Sequence, residues 1–216
     1  MNLPNSITLS RIFSIPLFIW VLSTTRLTSV NGEKELFACI LFIAASITDG
    51  IDGYIARKRG QITTMGMLLD PLADKLLITA AFITLVKFNP ALVAPWVAVI
   101  VIGREFLVSG LRSIAASEGF TIEASDLGKF KMVVQIFSVV AVILDHRWKE
   151  WPVYRGYFFP VHWIALVAIW FMVVLSLWSA GDYFVGFWKK IDHHVEKRRR
   201  RAFILSRRKK SNAAVI

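Results

Sequence analysis

The sequence is poor in the residues that build disulfides and zinc sites. It has one cysteine and four histidines in 216 residues. The single thiol, Cys39, cannot form an intramolecular disulfide, and its apolar neighbours predict a packed side chain. No Cys/His spacing resembles a set of zinc ligands. The first residues also lack a basic leader and an A-x-A pattern, so we expect no cleavable signal peptide.

Acidic residues are scarce relative to basic ones. The chain has 15 Asp and Glu against 26 Lys and Arg, and eleven of those basic residues lie in the tail at 189–210. One interpretation is a solvated, partly disordered end that reinforces membrane topology. The other is contact with anionic lipid, at about 1 kcal/mol per basic residue near the surface. Nucleic-acid binding is not expected of a tail that follows six membrane helices.

The rest of the chain is strongly apolar. Hydrophobic residues make up 56% of the sequence, and its mean hydropathy is +0.56. This composition favours an all-α integral membrane protein, with room for six spanning helices of about 20 residues each. We predict a membrane domain at 1–188 without internal repeats, followed by a basic cytoplasmic tail at 189–216. The six predicted segments are 10–25, 35–56, 70–88, 91–113, 129–145 and 160–186, separated by turn signals at 31–34, 89–90 and 117–119.

The distribution of Lys and Arg predicts the orientation of these segments. With the N-terminus in the cytoplasm, six basic residues fall in outer loops and twenty on the inner side. Nine of those twenty lie outside the tail, so the bias does not depend on it. The ends of helices two and three, where they meet, are then cytoplasmic.

Four aspartates, Asp49, Asp52, Asp70 and Asp74, lie close together in this apolar sequence. A carboxylate at the centre of a membrane helix costs roughly 2.5–3.5 kcal/mol. Two unit charges about 4 Å apart also repel by about 4 kcal/mol at an effective dielectric of about 20. The i, i+3 and i, i+4 spacings place each pair on one helix face. Four carboxylates meeting at two helix ends suit a hard divalent cation, Mg²⁺ or Mn²⁺.

Pro71 leaves two alternatives for the start of the third helix. If the helix begins near Asp70, that residue is the N-cap and Pro71 takes the first position, where proline is tolerated. If it begins nearer Gly66, Pro71 lies inside the helix and must kink it. The two alternatives orient Asp70 differently.

The aspartates form part of a longer pattern. Asp49-x-x-Asp52-Gly53-x-x-Ala56-Arg57, then eight residues, then Gly66-x-x-x-Asp70-x-x-x-Asp74 resembles the signature of the CDP-alcohol phosphotransferases. Further segments resemble the phosphatidylglycerophosphate synthase branch of that family, and the resemblance extends to about residue 186. These segments are Pro4-Asn5 with Thr8 and Arg11, residues 69–75, Gly103-Arg104-Glu105, Arg112, and residues 128–131 with Gln135.

The resemblance implies a function. It implies transfer of a phosphatidyl group from CDP-diacylglycerol to sn-glycerol 3-phosphate, with release of CMP. It also implies two Mg²⁺ or Mn²⁺ ions on the four aspartates, with Asp74 as the general base as well. A homodimer in a bacterial inner membrane, with the active site facing the cytoplasm, fits the same family. The residues implied to bind CDP-diacylglycerol are Asn5, Thr8, Asp49, Asp52, Gly53, Arg57, Thr63 and Gly66.

The acceptor needs its own cations, because glycerol 3-phosphate is a dianion. The candidates are Arg104, Arg112, Lys129 and Lys131, and Glu105 could orient one of them. Arg104 and Arg112 are eight residues apart, about two helical turns, and lie on nearly one face. The alternative interpretation is that these residues are only positive flanking charge on the inner side.

Other functions remain open from the sequence. The same chemistry could use an inositol phosphate, phosphatidylglycerol or serine, although a neutral alcohol would not need the basic set. A divalent-cation transporter usually binds near the midplane between repeated halves, whereas these carboxylates lie at helix ends. For a non-catalytic membrane scaffold, the basic tail is the only supporting feature of the sequence.

Overall fold

The computed structural model describes residues 3–24, 31–59, 64–120, 126–154 and 157–213. Within these ranges, side chains are described except at 3–7, 49–59, 64–65, 67–68, 126–129, 152–154, 157 and 192–213. The described chain forms six helices and one short hairpin. In order they are α1 (Leu3–Ser23), α2 (Glu33–Arg59), α3 (Thr64–Phe88), α4 (Pro95–Ser117), α5 (Asp126–Arg147), β1 (Trp151–Tyr154), β2 (Tyr157–Phe159) and α6 (Val161–Ala213).

The ends of α4 show how local sequence sets a helix boundary. Ala94 is extended, with φ −67° and ψ 152°, and Pro95 takes the first helical turn, where its missing N–H costs nothing. At the other end Gly119 has φ 81°, a left-handed conformation that glycine adopts without a Cβ penalty. The predicted turns at 89–90 and 117–119 are confirmed.

The helices pack around one apolar core. α1 contacts α2 and α3, α6 contacts α4 and α5, and α2 also contacts α5. The rings of Phe18 and Phe42 lie 5.6 Å apart between α1 and α2. Other fully buried core side chains include Phe82, Leu85, Val93, Ile143, Ile169 and Met172. This core holds the helix ends in fixed relative positions.

The outer surface of the bundle is also apolar. Large side chains are exposed on several helices, including Phe13, Ile83, Val99, Val133, Trp163 and Trp178. Extensive exposed apolar surface marks contact with a membrane or a partner. By length and composition, one helix of the described residues, Val161–Ile191, could cross a membrane, and Thr8–Ser23 is a shorter apolar helix.

A buried carboxylate lies at the end of the bundle where α3 is followed by Asn89. Asp145, with 0% exposure, accepts hydrogen bonds from Asn89 Nδ2 at 2.9 Å and from Lys149 Nζ at 2.6 Å. His162 Nδ1 lies 2.8 Å from the other carboxylate oxygen. These contacts join the α3–α4 turn, the end of α5 and the start of α6.

Several sequence-based boundaries were wrong. α3 begins at Thr64 rather than 70, so Pro71 lies inside the helix and Asp70 is not its N-cap. α6 continues to Ala213 rather than ending at 186. Lys, Arg and Glu are good helix formers, so the end of an apolar run is not the end of a helix.

The hairpin was also missed by the all-α prediction. β1 and β2 pair antiparallel, with Trp151 opposite Phe159. Aromatic and β-branched residues favour this extended pairing. The hairpin is a small addition to an otherwise helical protein.

Candidate active site

Asp70 is linked to the first helix. Thr8, which is 1% exposed, donates from Oγ1 to Asp70 Oδ1 at 2.6 Å. The contact joins residues 62 positions apart and depends on the packing of α1 against α3. A hydrogen bond of this kind restricts the orientation of a carboxylate that is expected to bind a metal. Thr8 was grouped with the nucleotide pocket, and the structure brings it to one of the motif aspartates.

Asp74 lies one helical turn beyond Asp70 and lines a cavity of about 280 Å³. The cavity is bounded by α2, α3, α4 and α5. Its polar lining residues are Ser46, Asp74, Arg104, Glu105, Ser109, Arg112 and Gln135. One predicted metal ligand and two predicted acceptor ligands therefore share a single small cavity. Its volume is at the lower end of the roughly 300–1,000 Å³ typical of small-molecule sites.

The two arginines on α4 are held by the last helix. Arg104 Nη2 donates to Ser179 Oγ, and Arg112 Nη2 donates to the Tyr183 hydroxyl. The Tyr183 ring centroid is 5.8 Å from the Arg104 guanidinium carbon and 4.9 Å from that of Arg112. A cation within about 6 Å of an aromatic centroid is attracted to the ring. Sequence reasoning missed Ser179 and Tyr183.

Glu105 lies between two of the predicted cations. Its carboxylate contacts Arg104 Nη1 at 3.3 Å and forms an ion pair with Lys131 Nζ. Lys131 is 2% exposed and reaches the cavity through Glu105. Arg104, Arg112 and Lys131 carry three positive charges, and Glu105 and Asp74 together offset two of them. The remaining excess favours a small anion in the cavity.

Several predicted site residues lie outside the described side chains. Thr63 lies outside the described residues altogether. On the described helices, the backbone places Asn5 on α1, Asp49, Asp52, Gly53 and Arg57 on α2, and Lys129 on α5. Gly66 is buried on α3. Ser46, which lines the cavity, precedes Asp49 by one turn of α2.

The described acidic groups fit a hard divalent cation. Asp70 and Asp74 present carboxylates at i and i+4 on one helix, and Asp74 lines a polar cavity. Oxygen donors of this type are those that Mg²⁺ and Mn²⁺ prefer. Among the described side chains no group of three His, Cys, Asp or Glu residues could hold a metal. Asp49 and Asp52 would have to supply the remaining carboxylate ligands of the metal.

Comparison with known proteins agrees with this site. Residues 1–178 match the family model described as CDP-alcohol phosphatidyltransferase. A Bacillus subtilis protein named CDP-diacylglycerol–glycerol-3-phosphate 3-phosphatidyltransferase is 41% identical over 198 residues, covering 88% of this chain and 97% of the relative.

Two further bacterial relatives have the same name. The one from Rickettsia bellii is 38% identical over 147 residues, covering 68% of this chain and 77% of its own length. The one from Pseudomonas fluorescens is 34% identical over 191 residues, covering 87% and 91%. The family resemblance found in the aspartate pattern is confirmed. The chain belongs to the CDP-alcohol phosphatidyltransferase family of enzymes.

Proposed function

We propose that this protein transfers a phosphatidyl group from CDP-diacylglycerol to sn-glycerol 3-phosphate, forming phosphatidylglycerophosphate and CMP. The observation that carries the proposal is the cavity that joins Asp74 to Arg104 and Arg112. It combines a candidate base with two cations suited to an acceptor phosphate. The names of the relatives support the same donor and acceptor.

The proposed reaction assigns a role to each of these groups. Asp74 accepts the proton of the acceptor hydroxyl, whose oxygen forms a bond to the phosphorus of the phosphatidyl group. The bond from that phosphorus to the CMP oxygen breaks, and CMP leaves with the electron pair. Arg104 and Arg112 hold the acceptor phosphate through charge-assisted hydrogen bonds. Ser179 and Tyr183 hold the two guanidinium groups in place.

The proposed metal ligands are Asp49, Asp52, Asp70 and Asp74. Two bound Mg²⁺ or Mn²⁺ ions would neutralise the diphosphate and the charge that develops on the transferred phosphoryl group. Thr8 restricts the orientation of Asp70 through its hydrogen bond. Asn5, Gly53, Arg57, Thr63 and Gly66 complete the proposed CDP-diacylglycerol site, as the family resemblance implies.

We also propose that all six helices cross a bacterial inner membrane, with the active site on the cytoplasmic side. The exposed apolar side chains around the bundle support membrane insertion. The excess of Lys and Arg on the predicted inner side supports the orientation. The tail at 189–216 is proposed to contact anionic lipid, and Lys129 and Lys131 are proposed as further cations for the acceptor phosphate. A homodimer is expected from the family resemblance.

The cavity also bears on the alternative acceptors. Its size suits a small molecule, and its excess positive charge favours a phosphate over an uncharged alcohol. Arg104 and Arg112 have a role in binding an acceptor phosphate, whereas a site that only transports a cation has no use for them. These features favour glycerol 3-phosphate over serine or a transported cation.

The test uses purified protein, labelled CDP-diacylglycerol, Mg²⁺ or Mn²⁺, and a panel of acceptors. The panel contains glycerol 3-phosphate, inositol 3-phosphate, phosphatidylglycerol, serine and inositol. Of these acceptors, we expect only glycerol 3-phosphate to react, and to give phosphatidylglycerophosphate and CMP in equal amounts. Turnover restricted to another acceptor, or no turnover with any of them, would overturn the proposal.

A further inference from the structure

Gln135 has a buried hydrogen-bond donor that is not used. The residue lies on α5, is 3% exposed, and lines the cavity together with Asp74, Arg104 and Arg112. Within the described part of the chain, its Nε2 has no hydrogen-bond partner. Burying an amide without a partner is costly, and native proteins do so rarely. The cavity beside the amide is where a ligand atom could supply the missing acceptor.

The segment of α5 that carries Gln135 is held by contacts on both sides of the residue. One turn earlier on α5, Lys131 is ion-paired to Glu105 of α4. One turn later, Ser138 donates from Oγ to the Ala168 carbonyl of α6 at 3.0 Å. The segment that carries Gln135 is therefore held against two helices. A buried donor on a segment held in this way loses less conformational entropy on binding a ligand atom than an exposed side chain would.

The chemistry of the cavity separates two kinds of ligand atom. Arg104 and Arg112 are charged, and their hydrogen bonds to a phosphate are stronger than those of a neutral donor. Gln135 is neutral, so it is suited to an uncharged acceptor oxygen such as a hydroxyl. Ser46, on the α2 side of the cavity, donates its own hydrogen to the Phe42 carbonyl at 2.8 Å. With its hydrogen used in this way, the Ser46 oxygen is left to act as an acceptor.

We propose that Gln135 binds the hydroxyl of the acceptor that does not react, the one on C2 of glycerol 3-phosphate. This inference rests on the proposed function and goes beyond it by naming a specificity-determining residue. Nε2 of Gln135 donates to the C2 oxygen, and the Ser46 oxygen can accept the hydroxyl proton. With the phosphate on the arginines and C2 on Gln135, the primary hydroxyl is placed at Asp74.

The proposal predicts selection between two closely related acceptors. The probe is 3-hydroxypropyl phosphate, which keeps the phosphate and the primary alcohol of glycerol 3-phosphate but lacks the C2 hydroxyl. A site that hydrogen-bonds a substrate hydroxyl discriminates against the analogue that lacks it. For one neutral donor we expect kcat/KM for glycerol 3-phosphate to exceed that for the probe by roughly 10- to 100-fold.

The experiment measures kcat/KM for both acceptors in the wild type and in Gln135→Leu. We expect the variant to lose most of the preference, because its rate falls with glycerol 3-phosphate and not with the probe. Gln135→Met, which keeps the length of the side chain and its neutral charge but lacks the amide donor, is a second variant in case the first fails to fold. Val133→Leu, at an exposed position of the same helix, is the matched control and should keep the wild-type ratio.

The KM for CDP-diacylglycerol is measured alongside, and we expect it to stay unchanged in every variant. An equal loss with both acceptors would overturn the proposal, because it would show a structural or phosphate-binding role. An unchanged ratio in both Gln135 variants would also overturn it, while leaving the proposed function intact. If the wild type does not use glycerol 3-phosphate, the proposed function fails, and this inference fails with it.

Discussion

Two regions of the helical bundle differ in how they satisfy buried polar groups. Near Asn89, the Asp145 carboxylate has partners on both oxygens, from Asn89, Lys149 and His162. About 20 Å away along α3, at about 1.5 Å per residue, Asp74 lines a cavity in which Gln135 Nε2 and Arg104 Nε have no partner among the described residues. Satisfied buried groups stabilise a fold, whereas unsatisfied ones beside a cavity indicate a ligand site.

The largest effect is expected at Asp74. Replacing it by asparagine keeps the size of the side chain but removes the proposed base and a metal ligand. We expect kcat to fall by roughly 10²- to 10⁴-fold, with the melting temperature in detergent almost unchanged. The measurement is initial-rate kinetics together with thermal unfolding. Wild-type turnover in the variant would remove Asp74 from the mechanism.

Asp145→Ala should show the reverse pattern. It would leave the buried Asn89 amide without one of its acceptors, which typically costs about 1–3 kcal/mol of unfolding free energy, while the exposed Lys149 side chain returns to solvent. Activity per folded molecule should stay near the wild-type value. Thermal unfolding measures the first effect, and kinetics normalised to folded protein measure the second. The exposed residue Glu150 provides the control, since Glu150→Ala should change stability by less than about 0.5 kcal/mol.

A smaller effect is expected from Thr8, which contacts a motif aspartate without itself being a proposed metal ligand. Thr8→Val removes the hydroxyl that donates to Asp70 and keeps the side-chain volume. Loss of such an orienting contact typically lowers metal affinity by about 10- to 100-fold. The Mg²⁺ concentration for half-maximal activity should therefore rise, and Thr8→Ser should restore it. An unchanged Mg²⁺ dependence would show that this bond does not support the metal site.

The smallest effect is expected from Tyr183→Phe, which keeps the aromatic ring next to both arginines and removes only the hydroxyl. Because a hydrogen bond involving a charged group contributes about 1.5–3 kcal/mol, we expect KM for glycerol 3-phosphate to rise by about tenfold. The KM for CDP-diacylglycerol should not change. Equal changes in both constants would indicate that Tyr183 acts on the fold and not on the acceptor site.

Sequence patterns predicted the groups that react better than the groups that hold them. Asp74, Arg104 and Arg112 stand out because a charged side chain in an apolar helix is energetically costly and is usually retained for a function. The spacing along the helix shows which of these charges share a face. The structure does bring these three residues to one cavity. The number of helices was also predictable, since each helix overlaps one predicted apolar segment.

The contacts that hold the functional side chains in place could not be predicted from the spacing of residues in the sequence. Ser179 and Tyr183 lie more than 70 residues from the arginines that they contact. Only the packing of α6 against α4 brings them together. For the start of α3 the sequence left two alternatives, and the structure has the one in which the helix begins before Gly66 and continues through Pro71. A proline removes one hydrogen bond, and packing on both sides can compensate for that loss.

The most direct test of the account is the steady-state kinetics of Arg112→Ala with both substrates varied. Arg112 is exposed enough to be replaced without opening the core, and its guanidinium lines the cavity that contains Asp74. We expect KM for glycerol 3-phosphate to rise by at least about tenfold, with KM for CDP-diacylglycerol unchanged. An unchanged KM for glycerol 3-phosphate, or an equal rise for both substrates, would contradict the claim that this cavity binds the acceptor phosphate.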